Sequence, residues 1–419
     1  MTIRVSTLSN GLRVASDSMD GVPSTSLGIW AGVGTRNETA EINGVAHMLE
    51  HMLFKGTARR SAFAISADIE NVGGHLNAYT TREQTAYYAR VLPDDVPLAL
   101  EIIADMLQNS LLDPEELARE RTVILQEIGQ AFDTPDDYVF DLLQATAFPD
   151  QALGRAVLGT ADIVATLPRE ALTGYLGRHY CGRTLVLAAA GQVDHDALVA
   201  QAETLFAALP AGAPPAQERA CYAGGNARED RDLEQVHLTL GFQGTSAHDP
   251  DFYPASVLAT VLGGGMSSRL FQEVREKRGL VYSIYTFSAA YQDGGLFALY
   301  AGTDPDRLQE LVPVVCAELV RAGQDVTEEE ILRARAQLKA GTLMALESSS
   351  NRCELLAQQL LTFGRPIPTD EVIARINAVD VAAVQQAARR IFATPPAVAA
   401  LGPLELLESY PALRARLTS

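Results

Sequence analysis

One segment, Ser26-Leu-Gly-Ile-Trp-Ala-Gly-Val-Gly34-Thr35, indicates the architecture because a similar pattern occurs twice in the chain. Its residues alternate as in a half-buried strand that ends at glycine. The second half of the chain carries Gln235-Val-His-Leu-Thr-Leu-Gly-Phe-Gln-Gly244-Thr245, with Gly244 lying 210 residues after Gly34. Each copy precedes a polar stretch and an apolar helical pattern, which begins near Val45 in the first copy and near Tyr253 in the second.

Two further matches have nearly the same offset. The segment from Leu111 to Glu120 resembles the segment from Asp325 to Ala334, at an offset of 214 residues, and both have acidic residues in the first turn of a predicted helix. The strand-like run Leu185–Gly191 resembles Ala397–Gly402, with closing glycines 211 residues apart. Three matches in one order predict a duplicated domain of about 210 residues.

The duplication divides the chain into two domains and a linker. We assign residues 1–209 to a first domain and residues 228–419 to a second. Residues 210–227 form a linker whose first part is rich in Pro, Gly and Ala. Alternating strands beside long amphipathic helices predict an α+β fold, in which each domain is a mostly antiparallel sheet packed with helices.

Composition excludes several classes of protein. The 419 residues include 47% hydrophobic residues and carry a net charge of -19, which argues against a nucleic-acid-binding protein. No stretch approaches the about 20 apolar residues that span a bilayer. The start of the sequence lacks the apolar run of a signal peptide, so we expect a cytoplasmic protein. The four cysteines are far apart and predict free thiols.

The strongest chemical signal is Gly44-Val-Ala-His47-Met-Leu-Glu50-His51-Met-Leu-Phe-Lys. Histidines four residues apart lie on one face of a helix, where both imidazoles can bind one zinc ion. Glu50 borders the same face and can accept a proton from water held by the metal. The alternative is a pair of core histidines satisfied by hydrogen bonds.

A catalytic zinc needs a third protein ligand and an open position. The predicted helix that begins at Pro114 carries Glu120 and Glu127, which lie seven residues apart and therefore share a face. Spacing nominates both glutamates, and a solvated pair is the alternative.

His-x-x-Glu-His with a glutamate 76 residues after the second histidine resembles the M16 (pitrilysin) metallopeptidases. The context Gly-Val-Ala-His-Met-Leu-Glu-His-Met-Leu-Phe-Lys-Gly-Thr is similar to the M16B branch, which includes mitochondrial processing peptidases and their bacterial relatives. The resemblance implies one zinc ion per chain, bound by His47, His51 and Glu127. It implies that Glu50 is the general base and that Glu120 supports the site.

Two further groups of residues resemble substrate-binding features of this family. Asn77, Ala78 and Tyr79 are similar to a stretch on an edge strand that pairs with extended substrate, although an ordinary edge strand would look the same. Arg275 and Tyr282, seven residues apart, resemble an Arg/Tyr pair that the half without zinc contributes to hold substrate near the metal.

The resemblance implies a zinc-dependent endopeptidase that cleaves peptides or unfolded segments inside a clam-shell chamber, with processing-type cleavage as one form of that activity. The acidic surface suits basic peptides. A homodimer is implied, with a heterodimer containing a zinc-less subunit as the second possibility. The rival hypothesis is a structural or peptide-binding subunit of the same fold that has no catalytic activity.

Overall fold

The computed structural model describes residues 2–214 and 216–418. Met1, Ser419 and Pro215, the last of these within the predicted linker, lie outside the described residues. The strands are β1 Thr2–Thr7, β2 Arg13–Ser18, β3 Thr25–Ala31, β4 His75–Thr80, β5 Thr85–Val91, β6 Leu185–Gly191, β7 Gly225–Asp230, β8 Val236–Gln243, β9 Ser283–Ala290, β10 Gly295–Thr303 and β11 Ala397–Gly402. The helices are α1 Val45–Leu53, α2 Ala62–Glu70, α3 Val96–Asn109, α4 Pro114–Phe132, α5 Pro135–Ala147, α6 Ala161–Thr166, α7 Arg169–His179, α8 His195–Leu205, α9 Phe252–Gly263, α10 Leu308–Ala322, α11 Glu328–Ala345, α12 Ser349–Phe363, α13 Thr369–Ala378, α14 Val381–Phe392 and α15 Tyr410–Thr418.

The strands form two sheets with the same arrangement. The first has the order β1-β2-β6-β3-β5-β4 and the second the order β7-β11-β8-β10-β9, so within residues 2–214 and 216–418 the second sheet repeats the first without a counterpart of β1. Each contains one parallel pair, β2 with β6 and β7 with β11, among antiparallel neighbours. The α+β class and the two similar domains predicted from the sequence are therefore confirmed.

The glycines that close two of the matched segments have the same geometry. Gly191 ends β6 with a φ of 119°, and Gly402 ends β11 with a φ of 126°. A Cβ atom at Gly191 would lie 2.2 Å from the backbone oxygen of Ser24, and one at Gly402 would lie 2.5 Å from that of Gln235. Only glycine fits both the backbone angle and this close approach, so the repeat preserves a steric requirement.

The chain forms two compact units, and each takes a segment from the opposite half of the sequence. The first unit contains Met1–Gly129, Arg155–Glu218 and Leu343–Ile367. The second contains Gln130–Gly154, Arg219–Thr342 and Pro368–Ser419. Helix α5 therefore belongs to the second unit and helix α12 to the first.

The exchanged helices complete the cores of the units they enter. In the first unit, α12 contributes Cys353, Leu356, Ala357 and Leu360 to a cluster with apolar residues of the sheet, among them Trp30. In the second unit, Val139 and Leu143 of α5 pack among residues of β10 and β11. The domain boundaries predicted from the sequence repeat, 1–209, 210–227 and 228–419, stay a prediction. Strand β7 begins at Gly225, inside the predicted linker.

The opposite face of the first sheet carries the larger core of that unit. Helices α1 and α3 lie in this core with apolar residues of β3 and β5. All four cysteines have free thiols, as predicted. None of the helices in the described part of the chain combines the length and the hydropathy of a membrane-spanning segment. The cytoplasmic location stays a prediction.

Candidate metal centre

Helix α1 turns an apolar face to the core and leaves a polar face beside it. Six of its nine residues are fully buried and apolar: Val45, Ala46, Met48, Leu49, Met52 and Leu53. His47, Glu50 and His51 occupy the remaining face, as the spacing predicts. Burial of the apolar face fixes the helix, so the three polar side chains project from a rigid support.

The imidazoles of His47 and His51 lie beside the Glu127 carboxylate. Oxygen Oε2 of Glu127 is 3.7 Å from Nε2 of His47 and 3.7 Å from Nε2 of His51. One ligand atom from each of the three residues lies within 4.8 Å of the other two, and no other such group of His, Cys, Asp or Glu occurs in residues 2–214 and 216–418. The side chains of His47 and His51 are 12% and 19% exposed and that of Glu127 is 37% exposed, so the cluster is reached from the Glu127 side.

Helix α4 supplies both glutamates, and they have different surroundings. Glu120 is buried, and its Oε2 accepts a hydrogen bond from Nδ1 of His51 at 3.0 Å. Its Oε1 lies 2.7 Å from Nζ of Lys55. Burial alone raises the pKa of Glu120, but hydrogen bonds from Lys55 and His51 outweigh it and lower the pKa below its usual value. Glu120 is therefore ionised, and because a carboxylate only accepts, Nδ1 of His51 carries the proton of this hydrogen bond, and Nε2 is the ring nitrogen that lies 3.7 Å from Glu127.

The surroundings of His47 and Glu50, the two remaining polar side chains of α1, shift their pKa values in opposite directions. Burial, and secondarily the charge of His51, lowers the pKa of His47 to about 4, so this imidazole is neutral at pH 7. Burial raises the pKa of Glu50, against the effect of a hydrogen bond from Thr80 Oγ1 to Glu50 Oε2 at 2.6 Å. Neutral imidazoles are the form that binds metal, and a carboxylate with a raised pKa is a stronger base than usual.

The donor set fits zinc. Zinc binds His nitrogen and carboxylate oxygen at about 2.0–2.2 Å, which places atoms that share one tetrahedral ion about 3.3–3.6 Å apart. The 3.7 Å separations from Glu127 to both histidines are close to this range. The Nδ1 atom of His51 has the carboxylate partner that usually orients a metal-binding histidine, whereas Nδ1 of His47 is buried without a hydrogen-bond partner among the described residues.

Comparisons with known proteins agree with this geometry. The family model described as "Insulinase (Peptidase family M16)" matches residues 13–161, and "Peptidase M16 inactive domain" matches residues 166–338. An uncharacterised zinc protease of Streptomyces coelicolor is 42% identical over 415 residues, covering 96% of this chain and 90% of the relative. The chain belongs to the M16 peptidase family.

Other relatives are consistent with this membership. The mitochondrial-processing peptidase subunit beta of Pongo abelii is 39% identical to this M16 chain, covering 97% of it and 86% of the relative. A crystal structure of a protease from Helicobacter pylori has a TM-score of 0.88 with 22% identity, covering 96% of this chain and 99% of that one, and therefore shows the shared fold. Relatives named zinc proteases support a metallopeptidase.

The predicted substrate strand of this M16 chain is an edge strand. β4 is the last strand of the first sheet, and in the described part of the chain it pairs with β5 alone, where Asn77 faces Tyr88 and Ala78 faces Tyr87. Asn77 is exposed, and Ala78 packs against the core that contains α1. The role of this strand in binding substrate stays a prediction.

The side chain of Tyr79 lies on the other face of the sheet. Its hydroxyl donates to Oε1 of Glu354 on α12 at 2.8 Å and accepts from Nε1 of Trp30 at 3.2 Å. If Tyr79 contacts substrate, it therefore does so through its main chain.

Arg275 and Tyr282 lie in the second unit. Arg275 is in a short π-helix, Phe271–Glu276, with its guanidinium 4.8 Å from the centre of the Phe271 ring. Tyr282 has 58% of its surface exposed, and its hydroxyl donates to Oδ1 of Asp304 at 3.4 Å. Both side chains are thus near the surface of their unit, and their contact with substrate stays a prediction.

Three residues that the sequence did not nominate support the M16 site. Lys55 forms an ion pair with Glu120, and the Thr80 hydroxyl donates a hydrogen bond to Glu50. Glu38 caps α1 by accepting hydrogen bonds from the backbone N–H groups of Gly44 and Ala46. Alternation along β4 could have suggested Thr80, which lies two residues after Ala78 and on the same face.

Proposed function

We propose that this M16 chain is a zinc-dependent endopeptidase. The observation that carries the proposal is that two imidazoles of one helix and a carboxylate of another lie close enough to share one metal ion, next to Glu50. His47, His51 and Glu127 would hold one zinc ion per chain. Zinc bound there would polarise the scissile carbonyl and lower the pKa of water toward about 7.

Glu50 moves the proton in this proposal. Its Oε2 is engaged by Thr80, and its Oε1 has no hydrogen-bond partner among the described residues. Oε1 therefore takes a proton from the attacking water and later gives it to the leaving amine. Glu120 acts through His51, because it accepts the hydrogen bond from Nδ1 and so makes Nε2 the nitrogen that would bind the metal.

We assign substrate binding to two places in the chain. The main chain of β4 at Asn77, Ala78 and Tyr79 would pair with an extended peptide, which gives affinity with little sequence preference. Arg275 and Tyr282 would donate hydrogen bonds to carbonyl oxygens of the substrate and to the developing oxyanion. The net charge of -19 favours basic peptides as substrates.

We further propose that two chains form a homodimer whose clam-shell chamber encloses the substrate. The ligand set and the Arg/Tyr pair both occur on one chain, which supports an active homodimer. A relative is named as subunit beta of a mitochondrial-processing peptidase, which supports processing-type cleavage and makes a heterodimer the second possibility. Sizing of the purified chain together with a peptidase assay separates the two.

Glu50→Gln tests the central proposal. The variant should keep its zinc, because Glu50 is not a ligand, and should lose at least about 100-fold in kcat, since general base catalysis contributes about 10²–10⁴-fold. Metal analysis and cleavage of a fluorescence-quenched library of arginine-containing peptides measure both. His75→Ala, at an exposed histidine outside the cluster, is the matched control. Wild-type protein that holds zinc but cleaves nothing would favour the non-catalytic alternative.

A further inference from the structure

The side chain of Glu50 has one hydrogen-bond donor among the residues that the structure describes. The hydroxyl of Thr80 lies 2.6 Å from Oε2 of Glu50. This distance is typical of a charge-assisted bond between a hydroxyl and a carboxylate, which is about twice as strong as a neutral one. Because one oxygen is engaged, rotation of the carboxylate is restricted and the orientation of Oε1 is set.

Thr80 is itself held firmly by the strand and turn around it. It is the last residue of β4 and pairs with Thr85, the first residue of β5. The turn that follows is closed by a backbone hydrogen bond from Thr81 N to the oxygen of Gln84 at 2.7 Å.

A neighbouring loop anchors the same turn from outside. The backbone N–H of Thr35 donates to the oxygen of Thr81 at 3.2 Å, and that of Arg36 donates to the oxygen of Arg82 at 2.8 Å. The buried side chain of Arg36 also forms an ion pair with Glu83. Threonine is stiff at χ1, so an anchored backbone here means an anchored hydroxyl.

We propose that Thr80 is a positioning residue that orients the Glu50 carboxylate for proton transfer and joins the orientation of the base to strand β4. The inference rests on the peptidase function proposed above. The hydroxyl of Thr80 bonds Glu50, which is not a candidate metal ligand, and the pairing proposed for peptide uses main-chain atoms of β4 rather than this side chain. Its loss should therefore change kcat and leave KM and zinc content unaltered.

Thr80→Val removes the hydroxyl at nearly constant volume. We expect kcat to fall about 10- to 100-fold, since small misplacements of catalytic groups cost about that much. Thr80→Ser should restore most of the rate because it keeps the donor. Kinetics use the peptide that wild type cleaves fastest in the arginine-containing library, and metal analysis accompanies each variant.

Two controls separate positioning from a general loss of structure. Thr81→Val removes the two hydroxyl bonds between Thr81 and Gln84 but leaves the backbone bonds that anchor the turn and does not touch Glu50, so it should keep the wild-type kcat. In a Glu50→Gln background, Thr80→Val should change the residual rate by less than twofold, because the hydroxyl acts through Glu50. Thr80→Ala provides a second variant without the hydroxyl if Thr80→Val does not fold.

The kinetic results of these variants support or overturn the positioning role of Thr80. Wild-type kcat in Thr80→Val or Thr80→Ala, an equal loss in Thr81→Val, or a rise in KM alone overturns the positioning role and leaves the peptidase proposal intact. Inactive wild-type protein with zinc bound overturns both. A loss of kcat that Ser rescues and that vanishes in the Glu50→Gln background supports the inference.

Discussion

Glu38 lies nine residues before His47, yet its carboxylate closes the first turn of α1. Oε2 accepts from Gly44 N at 2.9 Å and from the Asn43 side chain at 2.8 Å, while Oε1 accepts from Ala46 N at 2.8 Å. These donors include N–H groups that have no partner within the helix. A single buried carboxylate thus fixes the start of the helix that carries both histidines.

Glu38 should give the protein a measurable pH dependence of stability. Burial raises its pKa to about 7 from an ordinary value of 4.5, against the lowering effect of its hydrogen bonds. The folded state therefore binds a proton that the unfolded state has lost between pH 4.5 and about 7. The contribution of Glu38 to the free energy of unfolding falls across that interval, by about 3 kcal/mol at most.

Glu38→Gln should remove this slope, because glutamine does not titrate. Urea unfolding at about pH 5 and pH 8, in buffer with a metal chelator, measures the difference between variant and wild type. Glu41→Gln, at an exposed position nearby, is the matched control. Equal pH slopes in wild type and Glu38→Gln would contradict the role assigned to burial.

For single residues, the sequence predicts which side chains share a face of a helix. It does not predict contacts made by side chains that lie outside the helix. His47, Glu50 and His51 are spaced by the helical repeat, so their common face follows from local geometry. Glu38 and Lys55 flank the same helix, but nothing in their spacing indicates that their side chains turn toward α1 and Glu120. Those contacts depend on the path of the chain outside regular structure.

Among the elements, α1 carries two of the three proposed metal ligands and α4 carries the third, so metal should stabilise their association. Zinc at about 100 times its Kd would add about 2.7 kcal/mol to the free energy of unfolding. Removal of metal by a chelator should therefore lower Tm by about 5–10 °C. His51→Ala should have a low Tm that neither zinc nor chelator changes, whereas His75→Ala should respond like wild type. A Tm indifferent to zinc in the wild-type protein would contradict the assigned ligand set.

Strand β4 is held from both faces, by α1 through Thr80 and by α12 through Tyr79. Tyr79→Phe removes a hydroxyl that bonds both Glu354 and Trp30, and we expect a loss of about 1–2 kcal/mol. Faster amide hydrogen exchange in β4 and a lower urea midpoint would report it. Tyr88→Phe, on the neighbouring strand, removes a hydroxyl without a hydrogen-bond partner among the described residues and should cost less. Equal effects of the two variants would show that the Tyr79 hydroxyl does not anchor the strand.

For the whole molecule, the duplication was predictable and the exchange of helices was not. Repeated strands that end at glycine are local features, and they indicated two similar α+β domains. An amphipathic helix such as α12 shows which face is apolar but not which of two similar sheets will cover it. The partner is specified by particular contacts, such as the bonds from Ser349 and Ser350 to Ser26, that connect residues more than 300 positions apart.

The buried ion pair between Arg352 of α12 and Asp17 of β2 should be a main determinant of this exchange. Both side chains are almost fully buried, with Nη1 and Oδ2 3.0 Å apart. Arg352→Ala leaves Asp17 charged and unpaired, and we expect a loss of about 3–5 kcal/mol, seen as a lower urea midpoint. Asp17→Leu combined with Arg352→Met replaces the pair by apolar groups and should recover most of that loss.

The place of α12 in the first unit leads to a prediction for the two halves of the chain, residues 1–209 and 210–419, when they are produced as separate fragments. A fragment of residues 1–209 lacks α12, so the sheet surface around Trp30, Val186 and Ala188 loses its cover. We expect this fragment to aggregate alone and to become soluble when residues 210–419 are produced with it, because the second fragment supplies the missing helix. Co-production with a second fragment that carries Arg352→Ala should rescue less, since Asp17 would then be buried without its partner. A monodisperse 1–209 fragment that melts cooperatively would show instead that the first half folds without the exchanged helix.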